Sequence, residues 1–176
     1  QQRATNAGIT NVASQYARAL AAYYAANGAY PPVPSQATPS ADDRICLGRA
    51  TVDHNSDGTP DCGNSDYLSM NYEPFDTALA RLITLPPISE RVLPTPYQSS
   101  TFTGITLIRD DDFTVSGVSN PYYMMYVLAG GNQDCVLDVV EEKSGSDPFP
   151  HTRPSSQDWS WSDGHSTMCV VPFPNP

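Results

Sequence analysis

The sequence predicts an α+β domain: a long N-terminal helix packed on one face of an antiparallel β-sheet, with long loops between them. Three observations predict it. An apolar stripe of helical period fills the first part of the chain, the strand-like runs gather after residue 102, and Pro-rich segments lie between. At 176 residues the chain fits one domain with one core. Its expected divisions are a helix over 1–27, a connecting region over 28–101 that holds an insert at 46–66 and a short helix, and a sheet-forming region over 102–176.

In the first segment Ile9, Val12, Tyr16, Leu20 and Tyr23 recur at spacings of three and four, flanked by Ala13 and Ala19. Asn11, Ser14, Gln15 and Arg18 fall on the opposite side. Asn27-Gly28 suits a left-handed C-cap, and Pro31-Pro32 prevents the helix from resuming. The first turn, with Gln1, Gln2, Arg3, Thr5 and Asn6, is polar nearly all round and is expected to project from the domain.

Residues 31–45 and 86–101 read as Pro-rich loops. Between them a short helix is expected near Pro74, which suits a first turn, with Phe75, Leu79, Leu82 and Ile83 as its apolar face. Strand signals follow at 103–108, interrupted by Gly104, at 122–128, at 135–141 and at 167–171. Gly130-Gly131-Asn132 suggests a hairpin joining the second and third of these. Trp159 and Trp161 flank Ser160, so in an extended segment they share a face.

Composition restricts the function. Nine Lys and Arg stand against 19 Asp and Glu, a formal charge of -10. A phosphate-backbone partner needs a basic patch, so no nucleic acid is expected. Charged residues make up only 16% of the chain, and the many Pro, Ser, Thr, Asn and Gly suit a loop-rich secreted domain. The four cysteines, Cys46, Cys62, Cys135 and Cys169, show no C-x-x-C spacing and read as two disulfides formed in an oxidising compartment. Three connectivities are open. The preferred one ties local segments first: Cys46–Cys62 with Cys135–Cys169.

The sharpest chemical motif is the run from Asp53 to Asp61. Asp53, Asn55, Asp57 and Asp61 take positions 1, 3, 5 and 9 of a calcium loop, with Gly58 at position 6 and the Thr59 carbonyl at position 7. Alternate side chains of such a loop converge on one point, and three aspartates so close repel one another unless a cation joins them. Position 12 is Asn64 rather than Glu, so Asp66 or Asn64 must complete the shell. The expected ligands are therefore Asp53, Asn55, Asp57, Thr59, Asp61 and Asp66, holding a structural Ca2+. The Asp-Gly-x-Pro-Asp-Cys run resembles a single thrombospondin type 3 calcium repeat.

Tyr23, Tyr24, Asn27, Gly28, Tyr30 and Pro31, at the exit of a leading helix and ahead of a strand-rich remainder, resemble the soluble headpiece of a type IV pilin or pseudopilin. The resemblance is carried by motif over 16–31 and by architecture alone elsewhere. It implies a helix, a connecting αβ-loop, a meander sheet, and a C-terminal region closed by Cys135–Cys169. It also implies a structural subunit of an extracellular filament, major or minor, acting in attachment, motility, DNA uptake or secretion. The partners implied are other pilin subunits, a host or surface ligand, and, before assembly, the membrane. Subunit and membrane contacts run through an apolar helical segment expected to precede Gln1, because the most apolar stretch here, 19–26, falls short of the ~20 residues of a span.

Catalytic patterns are weak, and the chain is not expected to be an enzyme. His54, His151 and His165 lie in polar loop contexts, and no G-x-S-x-G, H-E-x-x-H, P-loop or GxGxxG is present. Asp110-Asp111-Asp112 reads as a solvated turn. The alternative to a filament subunit is a calcium-dependent adhesion or glycan-binding module that uses the acidic loop and the tryptophan pair.

Overall fold

In the computed structural model the described residues are 2–34, 43–50, 53, 56–64, 67–82, 84, 95–97, 100–102, 104–109, 114–115, 118–119, 122–130, 160–162 and 166–173. Helix α1 (Gln2–Asn27) opens the chain, followed by β1 (Asp43–Cys46), β2 (Asp61–Asn64) and β3 (Tyr67–Met70). Helix α2 (Glu73–Ala80) precedes β4 (Thr95–Tyr97), β5 (Ser100–Phe102), β6 (Thr106–Arg109), β7 (Thr114–Val115) and β8 (Val118–Ser119). The remaining strands are β9 (Tyr122–Ala129), β10 (Ser160–Ser162) and β11 (Ser166–Pro172).

Seven strands form one sheet in the order β10-β11-β9-β6-β1-β3-β2, while β4-β5 and β7-β8 form separate two-stranded ribbons. The fold class is α+β, with one correction to the expected sheet: it is mixed. β1 and β3 run parallel, with Ile45 opposite Met70, whereas every other pair in the sheet is antiparallel. The parallel pair follows from β2 and β3 forming a hairpin whose second strand, rather than its first, docks beside β1.

Strand β9 is the axis of the molecule. β11 runs alongside it over its whole length, from Ser166 opposite Ala129 to Pro172 opposite Tyr123. β6 takes its other edge from Tyr122 to Met125. The hairpin return expected at 135–141 lies outside the described residues. Tyr123 to Leu128 are all buried, which requires cover on both faces. On one face Met124, Tyr126 and Leu128 join Leu107, Ile45, Cys169, Val171 and Phe173 in a core closed by α1. On the other, Tyr123, Met125, Val127, Ile108, Met168 and Val170 are buried, with the β4-β5 ribbon lying against β9, β11 and β2.

The helical stripe docks as its spacing requires. Ile9, Val12, Ala13, Tyr16, Ala19 and Leu20 are at most 3% exposed, while Asn11 and Arg18 face solvent. Each large apolar side chain removed from water contributes about 1.5–3 kcal/mol. Of the expected apolar face of α2, Phe75 and Leu79 are buried, but Leu82 is 43% exposed because the helix ends at Ala80 and the chain turns away. Ile83 lies outside the described residues.

The ends of α1 are pinned by different chemistry. At the C-terminal end Gly28, at φ +70°, donates its amide to the Tyr24 carbonyl at 2.8 Å, and Asn27 Nδ2 donates to the Tyr23 carbonyl at 2.8 Å. Carbonyls that a helix end leaves orphaned are thereby satisfied. Tyr30 then turns inward, 5.0 Å from the Tyr24 ring, 4.8 Å from Tyr122 and 6.0 Å from Phe173. At the other end the expectation that Asn6 belongs to a solvated first turn is corrected, for Asn6 is buried. β6 reaches only as far as Met125 along β9, and beyond it Asn6 takes the place of a strand. Its Nδ2 donates to the Ala129 carbonyl at 2.7 Å, and the Ala129 amide donates to its Oδ1 at 3.1 Å.

Asn6→Ala would leave both main-chain groups of Ala129 without these partners in a partly buried site. We expect a loss of about 2 kcal/mol in urea unfolding, with hydrogen exchange at Ala129 accelerated more than at Tyr123.

Candidate functional site

The segment that carries the sharpest sequence motif is tied down at both ends. β1 ends at Cys46 and β2 begins at Asp61, and the sixteen-residue separation is closed by a Cys46–Cys62 disulfide with Cα atoms 5.9 Å apart. β3 stands between these two strands in the sheet. Strands separated by a third lie about 9.5 Å apart in a flat sheet, so the sheet curls sharply at this edge. Ser69 of β3 and Thr106 of β6 lie on the same face as the bridge. Ser69 Oγ donates to Thr106 Oγ1 at 3.0 Å, and Cys62 Sγ is 3.8 Å from the same oxygen. Cys46, Cys62 and Ala50 form a small core of their own, separate from the one beneath α1.

One half of the expected disulfide pattern is thus present. Cys169 is also disulfide-bonded, on the helix side of β11; Cys135 lies outside the described residues.

Within the loop Asp53 acts as a hub. Its Oδ2 accepts the Gly58 amide at 2.7 Å and its Oδ1 the Asp57 amide at 3.3 Å. Asp57 Oδ1 in turn accepts the Thr59 amide at 2.8 Å. The turn needs left-handed backbone at Ser56 (φ 61°) and Gly58 (φ 90°), which explains the glycine. Asp57, Gly58 and Thr59 are exposed, whereas Asp61 is 7% exposed at the start of β2. Asn55, Asp66 and His54 lie outside the described residues, as do His151, His165, Trp159 and residues 110–112. Among the described residues no three His, Cys, Asp or Glu side chains gather as a metal centre. Asp53 and Asp57 therefore share one turn, and Asp61 does not complete a cluster with them.

The beginning of the loop is gripped from below by residues the motif reading missed. Asn71, just after β3, pairs with Ala50 twice: the Ala50 amide donates to Asn71 Oδ1 at 2.8 Å, and Asn71 Nδ2 donates to the Ala50 carbonyl at 3.0 Å. Asp76, on the first turns of α2, accepts the Gly48 amide. Burial pushes its carboxyl up to about 6, the stronger effect, while the Gly48 hydrogen bond works to lower it. Across the interface Tyr16 of α1 is raised above its ordinary value, first by burial and then by the charge of Asp76. The sequence held one signal for Asp76: its spacing of three from Leu79 places it at the margin of the buried face of α2.

No protein-family model, curated protein or solved structure matches the chain. Among the described residues no helix is long and apolar enough to cross a membrane.

Replacing both Cys46 and Cys62 by Ala would free a sixteen-residue loop and should cost about 3 kcal/mol in chemical unfolding. The amides of Gly58 and Thr59 should lose protection from hydrogen exchange, while those of β9 and β11 keep theirs up to the global limit.

Proposed function

We propose that this chain is the headpiece of a pilin-like structural subunit of an extracellular filament. The observation that carries this reading is the helix exit. Of the residues that resemble a pilin, Tyr23, Tyr24, Asn27, Gly28, Tyr30 and Pro31, all but Pro31 take part in the hydrogen bonds and ring contacts at the end of α1. A helix whose apolar stripe is consumed by its own sheet, with Asn11 and Arg18 outward, suits a subunit that presents sheet and loops to the medium and assembles through another segment. Assembly with other subunits, and the membrane anchorage that precedes it, would use an apolar helix joined ahead of α1. The filament would serve attachment, motility, DNA uptake or secretion.

The test is the sequence encoded immediately upstream of Gln1. A short basic leader, a small residue at the processing point and an apolar helical stretch are expected. An ordinary secretory signal running directly into Gln1 would exclude the filament.

In the same reading the 53–66 loop holds a structural Ca2+. The donor set suits a hard cation, since Asp53, Asn55, Asp57, Thr59, Asp61 and Asp66 offer only oxygen. The Asp53 turn already fixes Gly58 in the conformation such a loop needs. Bound calcium would neutralise the mutual repulsion of the aspartates and order a segment whose own core, among the described residues, is Cys46, Ala50 and Cys62. Calorimetric titration of the chain with CaCl2 should show saturable heat and a raised unfolding temperature. Asp57→Ala should abolish both and leave the sheet folded. A wild-type titration with neither heat nor thermal shift would reject the ion.

A further inference from the structure

The exit of α1 holds a reactive pair. Asn27 is the one asparagine in the sequence followed by glycine, and both residues are exposed. Gly28 has no side chain to shield its main-chain nitrogen, and a Cβ built there would meet nothing within 4 Å. In such a pair the deprotonated Gly28 nitrogen attacks Asn27 Cγ. An N–C bond forms, the Cγ–Nδ2 bond breaks, and Nδ2 leaves as ammonia with a proton that solvent returns. Water then opens the succinimide ring. Attack at Cγ gives aspartate; attack at the main-chain carbonyl gives isoaspartate, whose backbone runs through the side chain and is longer by a carbon. No oxidant or reductant is needed.

The fold holds both reacting groups away from this step. The Gly28 amide donates to the Tyr24 carbonyl at 2.8 Å, and Asn27 Nδ2 donates back along the helix to the Tyr23 carbonyl at 2.8 Å. The first bond keeps the proton on the nucleophile. The second turns Cγ toward the preceding turn and away from Gly28. Reaction therefore requires the last turn of α1 to open. Helix ends fray at small free energy, and this one has no basic residue in its last turn to bind the terminal carbonyls. Two bonds at such an end slow the chemistry without forbidding it.

We propose that Asn27 is a modification site, converted spontaneously to aspartate or isoaspartate at a rate set by the opening of the last turn of α1, and that conversion uncaps the helix. Both products take the Nδ2 donor from the Tyr23 carbonyl. Both also place a carboxylate at the negative end of the helix dipole, where the last turn offers no cation. Isoaspartate further lengthens the path between the Tyr24 carbonyl and the Gly28 amide, so the bond between them loses its geometry. Tyr30, just beyond Gly28, then loses the turn that aims its ring at Tyr24, Tyr122 and Phe173. The site stands whether or not the chain forms filaments.

Incubation of the 176-residue chain in mildly alkaline buffer, folded and in urea, tests the proposal. Trypsin cuts after Arg18 and Arg44, and the 19–44 peptide holds Asn27 as its one asparagine. The mass and fragmentation of that peptide read the extent of conversion and the linkage formed. Asn27 should convert about tenfold more slowly in the folded chain than in urea. Equal rates would mean that the two hydrogen bonds do not govern the step. An Asn27 that stays intact in the folded chain while the unfolded chain converts fully would remove the site. Either result overturns the proposal. The converted chain, separated by its added negative charge, should exchange the Gly28 amide faster and unfold at lower urea than the unconverted chain. Asn27→Asp should shift both readouts in the same direction. Unchanged exchange at Gly28 with an unchanged urea midpoint in the converted chain would overturn the uncapping.

Discussion

The structure depends on the match in length between one helix and one strand. From Asn6 to Tyr24 α1 spans about 27 Å, and β9 from Tyr122 to Ala129 spans about 24 Å. The two run in opposite directions, with Asn6 at the Ala129 end and Tyr24, through Tyr30, at the Tyr122 end. Between these pins every apolar residue of the stripe finds the helix-side residues of β9 and its neighbours. The pins do what non-directional burial cannot: they fix where along the strand the helix stops. A slip by one helical turn would place Asn6 against apolar side chains and take Tyr30 out of its aromatic cluster, so the register is held by two unlike interactions.

The legible parts of the fold were those with a strong apolar signal. The stripe of α1 was read from its spacing, and β9 and β11 from runs of strand-forming residues, which are continuous because both faces of these strands are buried. The small strands were not. β1, β2 and β3 are Asp-Arg-Ile-Cys, Asp-Cys-Gly-Asn and Tyr-Leu-Ser-Met, too short and too polar to alternate visibly. They are extended because tertiary pairing and the disulfide hold them. β4 and β5 sit in a stretch read as a Pro-rich loop, and Pro96 is tolerated there because a two-stranded ribbon has edges on both sides. The parallel β1-β3 pair was invisible for a related reason: pairing direction is decided by which strand of a hairpin docks, and nothing local encodes that.

The candidate site divided in the same way. The Asp53 turn was legible because Asp and Gly at fixed offsets have a local mechanism, an acid accepting amides four and five residues ahead. The joining of Cys46 to Cys62 followed the expectation that local segments are tied first. Asn6, Asn71 and Asp76 were illegible as anchors, because each answers a main-chain group far away in sequence. A polar residue in a polar stretch gives no sign of a distant partner until the topology is known.

The antiparallel arrangement of α1 and β9 also has a mechanical consequence. Force applied to the first turn of the helix along its axis acts parallel to the interface, not across it. The apolar stripe from Ile9 to Leu20, the Asn6–Ala129 pair and the tyrosine cluster are then loaded together in shear, rather than one after another as in peeling. Rupture requires them to fail nearly at once. The domain therefore resists force applied along its helix better than force applied across it.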